Sequence, residues 1–277
     1  MKPIAIHLSC RDRYAVTQKC IESLLKKTRR PVHLFVYDNV TTYRTKDQWE
    51  YFRSLYEDGK ICKYVANTVT STYGCFGKIV SFNDFGFYIA AHPNPNAYEM
   101  IVCLDNDMIA VEDGWDDLVV AARTELNKGP NHIEIIGQYP GGTSGYETEI
   151  VLNGKKYRSR IGIQGGSGFW CMQPDFFDKV GFLDPKDFVG IGKKHDQTYW
   201  KMLGEYTGGK PYTYVIDHPM FLHFSYLGGK DLSICRVNRS DPSMIVVHED
   251  VDKFVEAMPY DDFIAFIKKD VDIMSKW

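Results

Sequence analysis

Met100-Ile101-Val102-Cys103-Leu104-Asp105-Asn106-Asp107-Met108-Ile109 is the stretch that decides how this 277-residue chain is read. Its first half is apolar and β-prone, and it runs straight into two carboxylates one residue apart. A buried strand of this kind delivers Asp105 and Asp107 to the edge of a sheet. If the extended conformation persists through Asn106, alternation puts both carboxylates on one side. Two carboxylates leaving an apolar strand together repel each other unless a cation lies between them. Hard oxygen donors suit Mg²⁺ or Mn²⁺, ions that take one or two carboxylates and fill their other positions with water and substrate phosphates. The plain alternative is a turn, since Asp and Asn are common turn residues. The local pattern by itself does not separate the two readings.

Working outward toward the amino terminus, apolar runs alternate with amphipathic segments. Pro3 to Ser9 reads as a buried strand, and Val16, Cys20, Ile21, Leu24 and Leu25 fall at helical spacing. Lys26, Lys27, Arg29 and Arg30 crowd the end of that helix, where cations favourably face its dipole. Val32 to Tyr37 reads as a second strand ending in Asp38, Gln48 to Tyr56 as a helix, Ile61 to Val65 as a third strand, and Phe76 to Ala91 as a helix. Glu99 to Leu104 is the fourth strand. This alternation predicts βαβ units in a mainly parallel sheet, with ligands at the carboxyl ends of the strands. Asp12, Asp38 and the Asp105/Asp107 pair each follow a strand and are expected on one rim.

Beyond the acidic pair the pattern changes. Trp115 to Leu126 reads as a helix and Ile133 to Gly137 as a short strand. Glu149 to Leu152 and Lys156 to Ile161 flank Asn153-Gly154, a strong hairpin signal. A glycine stretch, Gln164-Gly165-Gly166-Ser167-Gly168, leads into Phe169-Trp170-Cys171-Met172. Asp175 to Val180 and the segment from His195-Asp196 to Glu205 read as helices, Tyr212 to Ile216 as a strand, and Asp261 to Met274 as an amphipathic helix. With no repeats or linkers, the chain is expected to form one domain. Residues 1–108 would be its nucleotide-binding half, 109–228 its acceptor half, and 229–277 a carboxyl-terminal extension or lid.

Composition sets the class. A hydrophobic content of 44% and a charged content of 25% are those of an ordinary globular protein. The formal net charge of −3 demands no polyanionic partner overall, though it leaves room for a local basic patch. The seven cysteines are scattered, without a C-x-x-C pair, which favours a reducing compartment. No apolar run approaches the ~20 residues of a membrane helix, and the short apolar start reads as a strand rather than a leader. A cytoplasmic protein, of a bacterium or a virus-infected host cell, is the expectation.

The ordered set of motifs resembles the GT-A fold glycosyltransferases, above all the large inverting family 2, over roughly residues 3 to 228. Arg11-Asp12-Arg13-Tyr14 and Lys19-Cys20-Ile21-Glu22-Ser23-Leu24-Leu25 resemble that family's opening turn and helix. Val36-Tyr37-Asp38-Asn39 resembles its second-strand acidic element, and Lys78 and Asn83 fall where it often has a basic residue and an asparagine. Asp105-Asn106-Asp107 matches its D-x-D metal motif. Gly165-Gly166-Ser167-Gly168-Phe169 resembles the glycine loop under the donor sugar. His195-Asp196 stands at the family's E-D position, and His223 resembles the histidine that closes on the metal. Two departures, His195 for the usual glutamate and Arg11-Asp12 for the commoner Asn-Arg, bear on donor-sugar details and the acceptor.

The resemblance implies transfer from a UDP-sugar to an acceptor hydroxyl with inversion, using Mn²⁺ or Mg²⁺. Asp107 would ligate the ion directly, Asp105 through water or by way of the ribose hydroxyls, and His223 through an imidazole nitrogen, with His218 as its competitor. Asp196, at a helix start, is the candidate general base; its plain alternative is a carboxylate satisfying free helix N–H groups. Asp38 would accept the N3–H of uracil. Arg11, Asp12 and Lys78 would flank base and diphosphate, Gly165 and Gly166 would let backbone approach the sugar, and Lys230 would close on the phosphates. Trp170 and Phe169 read as core more readily than as an acceptor platform.

Two acceptors stay open. One is a saccharide or small molecule. The other is a hydroxymethylated DNA base, as in a phage-type enzyme, suggested by the basic hairpin segment Lys155-Lys156-Tyr157-Arg158-Ser159-Arg160. Rival classes are a nucleotidyltransferase, which would want a glycine-rich loop that Ser9-Cys10-Arg11-Asp12 does not provide, and a non-catalytic nucleotide-sugar-binding protein.

Overall fold

The structure is a computed structural model that describes residues 1–10, 14–39, 45–67, 76–94, 96–129, 133–138, 145–162, 168–185, 195–224, 253 and 255–274. Its first half alternates strand and helix as the apolar periodicity predicts: β1 (Ile4–Cys10), α1 (Tyr14–Lys27), β2 (Val32–Asn39), α2 (Lys46–Glu57), β3 (Lys63–Asn67), α3 (Phe76–Ala90) and β4 (Ile101–Asp105). Then follow β5 (Met108–Ala110), α4 (Trp115–Leu126), β6 (Ile135–Gln138), β7 (Gly145–Leu152), β8 (Lys155–Gly162), β9 (Phe169–Met172) and α5 (Phe176–Val180). α6 (His195–Tyr206), β10 (Thr213–Ile216), β11 (Phe221–His223) and a carboxyl-terminal helix, α7 (Tyr260–Met274), complete the order.

One nine-stranded sheet, β3-β2-β1-β4-β9-β6-β10-β8-β7, joins both halves of the chain. Following the pairings across it, only β9 and β8 oppose the direction of the other strands, so the sheet is mainly parallel as expected. Both faces are covered. Ile4, Ile6, Leu8 and Cys10 of β1 share one apolar cluster with α1, α2, α4 and α7. Ala5, Phe35, Ile101 and Cys103 share the opposite one with α3, α5 and α6. This double burial explains why β1 and β4 read as unbroken apolar runs.

Local signals set several boundaries. Thr45 caps α2 and exchanges hydrogen bonds with Gln48 in a capping box. The hairpin between β7 and β8 turns on Asn153 (φ 50°) and Gly154 (φ 77°), the positive-φ pair its tight turn requires. α7 packs through Phe263 and Ile267, both fully buried.

Candidate functional site

The register of the central strands builds the rim. Ser9 of β1 pairs with Asp105 of β4, and Cys10 with Asp38 of β2, so both acids end strands at the same edge. Ser9 and Cys10 are consecutive, so their partners project from opposite faces of the sheet. Asp105 lies on the α3 side, ion-paired with Lys78. Asp38 lies on the α1–α2 side, fully buried, and accepts a hydrogen bond from the Tyr64 hydroxyl at 2.9 Å. The expected shared rim is present, but these two carboxylates stand on its opposite sides.

The extended run expected through Asn106 stops at Asp105. Asn106 and Asp107 form a turn, because α1 captures the chain there. The Asn106 backbone N–H donates to the Ser9 carbonyl at 3.2 Å, and its side-chain amide donates to the Thr17 hydroxyl at 2.8 Å. One turn further along α1, the Cys20 thiol donates to the Met108 carbonyl at 3.1 Å and the Ser23 hydroxyl accepts from the Ala110 N–H at 3.0 Å. The acidic pair is therefore presented by a turn and not by a straight strand.

That turn starts a second sheet. β5 pairs antiparallel with β11, matching Met108 to His223, and the Phe224 N–H donates to the Asp107 carbonyl at 2.7 Å. Gln138, at the end of β6, fixes β11 by hydrogen bonds to both the N–H and the carbonyl of Phe221. The result brings His223 Nε2 to 3.2 Å from Asp107 Oδ1. His218 lies elsewhere, its Nε2 3.4 Å from Glu112 Oε1. Gly168, the last glycine of its stretch, accepts the Asp105 N–H at 3.0 Å. A Cβ added to Gly168 would stand 3.3 Å from the Met108 sulfur and 3.8 Å from His223 Cδ2, so the glycine stretch ends against the same pair.

Electrostatics concentrate here. Burial pushes the Asp105 carboxyl above its ordinary range and Asp107 adds to this, while the Lys78 ammonium opposes it. The donor set suits a hard or borderline divalent cation: one carboxylate oxygen beside one imidazole nitrogen, with a second carboxylate close by. Among the described residues no group of three or more metal-ligating side chains occurs. Two protein donors with the other positions filled by substrate oxygens is the arrangement these residues offer to Mn²⁺ or Mg²⁺.

The other sequence-selected residues fall as follows. Asp196 is the second residue of α6. α6 leads into β10, which runs parallel to β6 and in the same sense as β4, so the helix ends at the far rim. Tyr199, in the same turn region of α6, packs against Phe82 of α3, with ring centres 5.4 Å apart. Asn83 is structural: its amide donates to the Leu183 carbonyl at 2.6 Å. Phe169 and Trp170 are core residues. Arg11, Asp12, Gly165, Gly166 and Lys230 lie outside the described residues.

The basic hairpin is largely paired within itself. Lys156 meets Glu149 at 2.5 Å, and Arg158 and Arg160 meet Glu147 at 2.5 and 3.4 Å. Sequence reading missed Thr17, Tyr64 and Gln138. Each is a single polar residue whose partner is remote in the chain, and none belongs to a motif.

No family model matches the sequence, and no curated protein matches it. Solved structures are similar in fold. TarS of S. aureus superposes with a TM-score of 0.51 at 11% identity, covering 80% of this chain and 36% of that one. The mannosyltransferase PcManGT from Pyrobaculum calidifontis, in complex with GDP-Man and Mn²⁺, gives 0.51 at 11% identity over 94% of this chain and 67% of its own. GalNAc-T7 with UDP, GalNAc and Mn²⁺ gives 0.50 at 12% identity over 94% and 52%. The chain thus spans little more than a third of TarS and about half of GalNAc-T7. The fold is GT-A.

Proposed function

We propose that the protein is a metal-dependent glycosyltransferase that moves a sugar from a UDP-sugar to an acceptor hydroxyl with inversion. The observation that carries this reading is the 3.2 Å approach of His223 to Asp107, beside Asp105, at the carboxyl end of β4. It gains weight from two solved structures of the same fold whose complexes hold Mn²⁺ with a nucleotide or a nucleotide sugar.

Asp107 and His223 would hold the cation, with Asp105 beside them. A divalent cation bound there would stabilise the charge that builds on a departing diphosphate. The chain's own residues do the rest. Lys78, ion-paired with Asp105, opposes the effect of burial by favouring the charged carboxylate, and it orients it. Asp38 would meet the base edge once the Tyr64 hydroxyl that now occupies it swings aside. Gly165 and Gly166 would leave room for the sugar, Arg11 and Asp12 would flank the base, and Lys230 would cover the phosphates. Asp196, at the start of α6, would take the proton of the acceptor hydroxyl. The continuous nine-stranded sheet supports a single unit carrying donor and acceptor halves. A saccharide or small-molecule acceptor is favoured over a DNA base, because three of the hairpin cations, Lys156, Arg158 and Arg160, already pair with Glu147 and Glu149.

The test measures Mn²⁺-dependent hydrolysis of UDP-sugars without acceptor, then transfer with candidate acceptors. Asp196→Asn should abolish transfer and leave UDP-sugar binding intact, with inverted anomeric configuration by NMR in the wild-type product. Full turnover by the Asn variant, or retained configuration, would remove Asp196 from this role. Duplex DNA binding that falls steeply with salt would reopen the DNA acceptor.

A further inference from the structure

We propose that the carboxyl-terminal helix α7 braces the candidate metal site, with Phe263 a positioning residue for His223 that acts through Phe224. The inference rests on the reading of His223 as a metal ligand and extends it to a part of the chain that the motif resemblance does not reach.

Three observations join α7 to the site. Phe224 directly follows His223, is 1% exposed, and its backbone N–H holds the Asp107 carbonyl. Its ring packs on Phe263, with ring centres 5.8 Å apart and planes inclined by 35°. Phe263 belongs, with Val255 and Ile267, to the same buried cluster as Met108, Ile109 and Phe221 of the β5–β11 ribbon.

The helix is also fixed from outside the core. Lys19 of α1 donates through Nζ to the Met258 carbonyl at 2.8 Å, and the Lys26 ammonium lies 3.8 Å from the centre of the Tyr260 ring. α1 is the helix that holds the turn after Asp105 through Thr17, Cys20 and Ser23. One helix thus grips the acidic turn on one side and α7 on another, and α7 in turn backs the residue after the histidine.

The physical consequence is specific. β11 has only three residues, and a strand so short defines its last side chain poorly by backbone pairing alone. With Phe224 seated against Phe263, the chain direction after His223 is set, and the imidazole is held toward Asp107. Removing the Phe263 ring leaves space into which Phe224 can turn, and this loosens the histidine while the strands of the nucleotide half stay as they are. Residues that orient a metal ligand typically change affinity for the ion about 10–100-fold when lost.

The experiment uses the full chain and four variants: Phe263→Ala, Phe263→Leu, Lys19→Met and His223→Ala. Mn²⁺ binding is followed by electron paramagnetic resonance at saturating UDP, UDP binding by calorimetry without metal, and the His223 ring by NMR in metal-free protein. Phe263→Ala should weaken Mn²⁺ binding about 10-fold, shift the His223 ring signals and leave metal-free UDP binding unchanged. Phe263→Leu should restore most of the affinity. Lys19→Met, which loosens α7 from the surface without opening the core, should weaken Mn²⁺ about 3-fold, so the proposal is tested even if the alanine variant does not fold. In the His223→Ala background, Phe263→Leu and Lys19→Met should have no further effect on Mn²⁺.

Wild-type Mn²⁺ affinity and unshifted His223 signals in folded Phe263→Ala and in Lys19→Met would overturn the brace, even with a lowered unfolding midpoint. Wild-type Mn²⁺ affinity in His223→Ala would instead overturn the ligand reading itself.

Discussion

His7 makes the protein sensitive to acid in a way that can be calculated. It lies in the middle of β1, fully buried, with Nε2 3.0 Å from the Ser81 hydroxyl and Nδ1 3.5 Å from the Cys103 sulfur. Its ring is enclosed by Tyr37, Phe82 and Phe85, with centres 5.0 to 5.5 Å away. Burial, with the Lys78 charge adding to it, lowers its pKa from 6.5 to about 3. Folding therefore favours the neutral ring, whereas the unfolded chain protonates it below its ordinary pKa. The unfolded state then binds more protons, so stability falls as pH drops through the interval from 6.5 to about 3 and loses nothing further below it. Integrating between these values gives a loss of about 3 kcal/mol from about pH 7 to about pH 4. The assay is urea unfolding at stepped pH for the wild type and His7→Gln, whose amide has no charge to gain. The variant starts less stable at neutral pH, and the gap should narrow by about 3 kcal/mol as pH falls to about 4. Carboxylate titrations common to both cancel in the comparison. Parallel pH profiles for the two proteins would refute the reasoning.

Two further predictions concern α3. In Gly77→Ala the new Cβ would meet Asn39 Oδ1 at 2.6 Å and Cγ at 2.9 Å, and Asn39 is 5% exposed, so either its side chain or the helix must shift. A loss of about 1–3 kcal/mol is expected by urea unfolding, and an unchanged midpoint would mean that Asn39 yields freely. Lys78→Met removes the cation from a half-buried carboxylate pair. It should cost about 1–3 kcal/mol at neutral pH, with the deficit shrinking in acid as Asp105 takes up a proton; a deficit that is constant with pH would contradict the ion-pair account.

The first half of the chain was legible because its signals are local. Apolar runs and helical spacing in the first ~100 residues are read within each element, and α4 has the predicted limits Trp115 and Leu126. Where the reading slipped, a tertiary contact moved the boundary. The third strand was expected from Ile61, but the Ile61 N–H closes on the Leu55 carbonyl of α2, so the ladder with β2 starts only at Lys63. β7 begins at Gly145, four residues before the expected Glu149, because pairing with β8 continues to Gly162.

The site divides along the same line. Its chemistry was readable, since carboxylates and an imidazole announce themselves by residue type, but its geometry depends on register between segments more than 100 residues apart. A one-residue slip of β11 against β5 would set Leu222 opposite Met108 and send His223 to the other face. The three-residue strands carry too little pattern to prevent this, so polar contacts must. Gln138 grips both backbone groups of Phe221, and the Phe224 N–H reaches the Asp107 carbonyl, fixing β11 at either end. Neither contact has a sequence signature, since a glutamine at a strand end and a backbone amide look alike wherever they occur. The candidate ion-binding residues were therefore visible, and the contacts that aim them were not, because aiming depends on non-local hydrogen bonds that no spacing within one segment encodes.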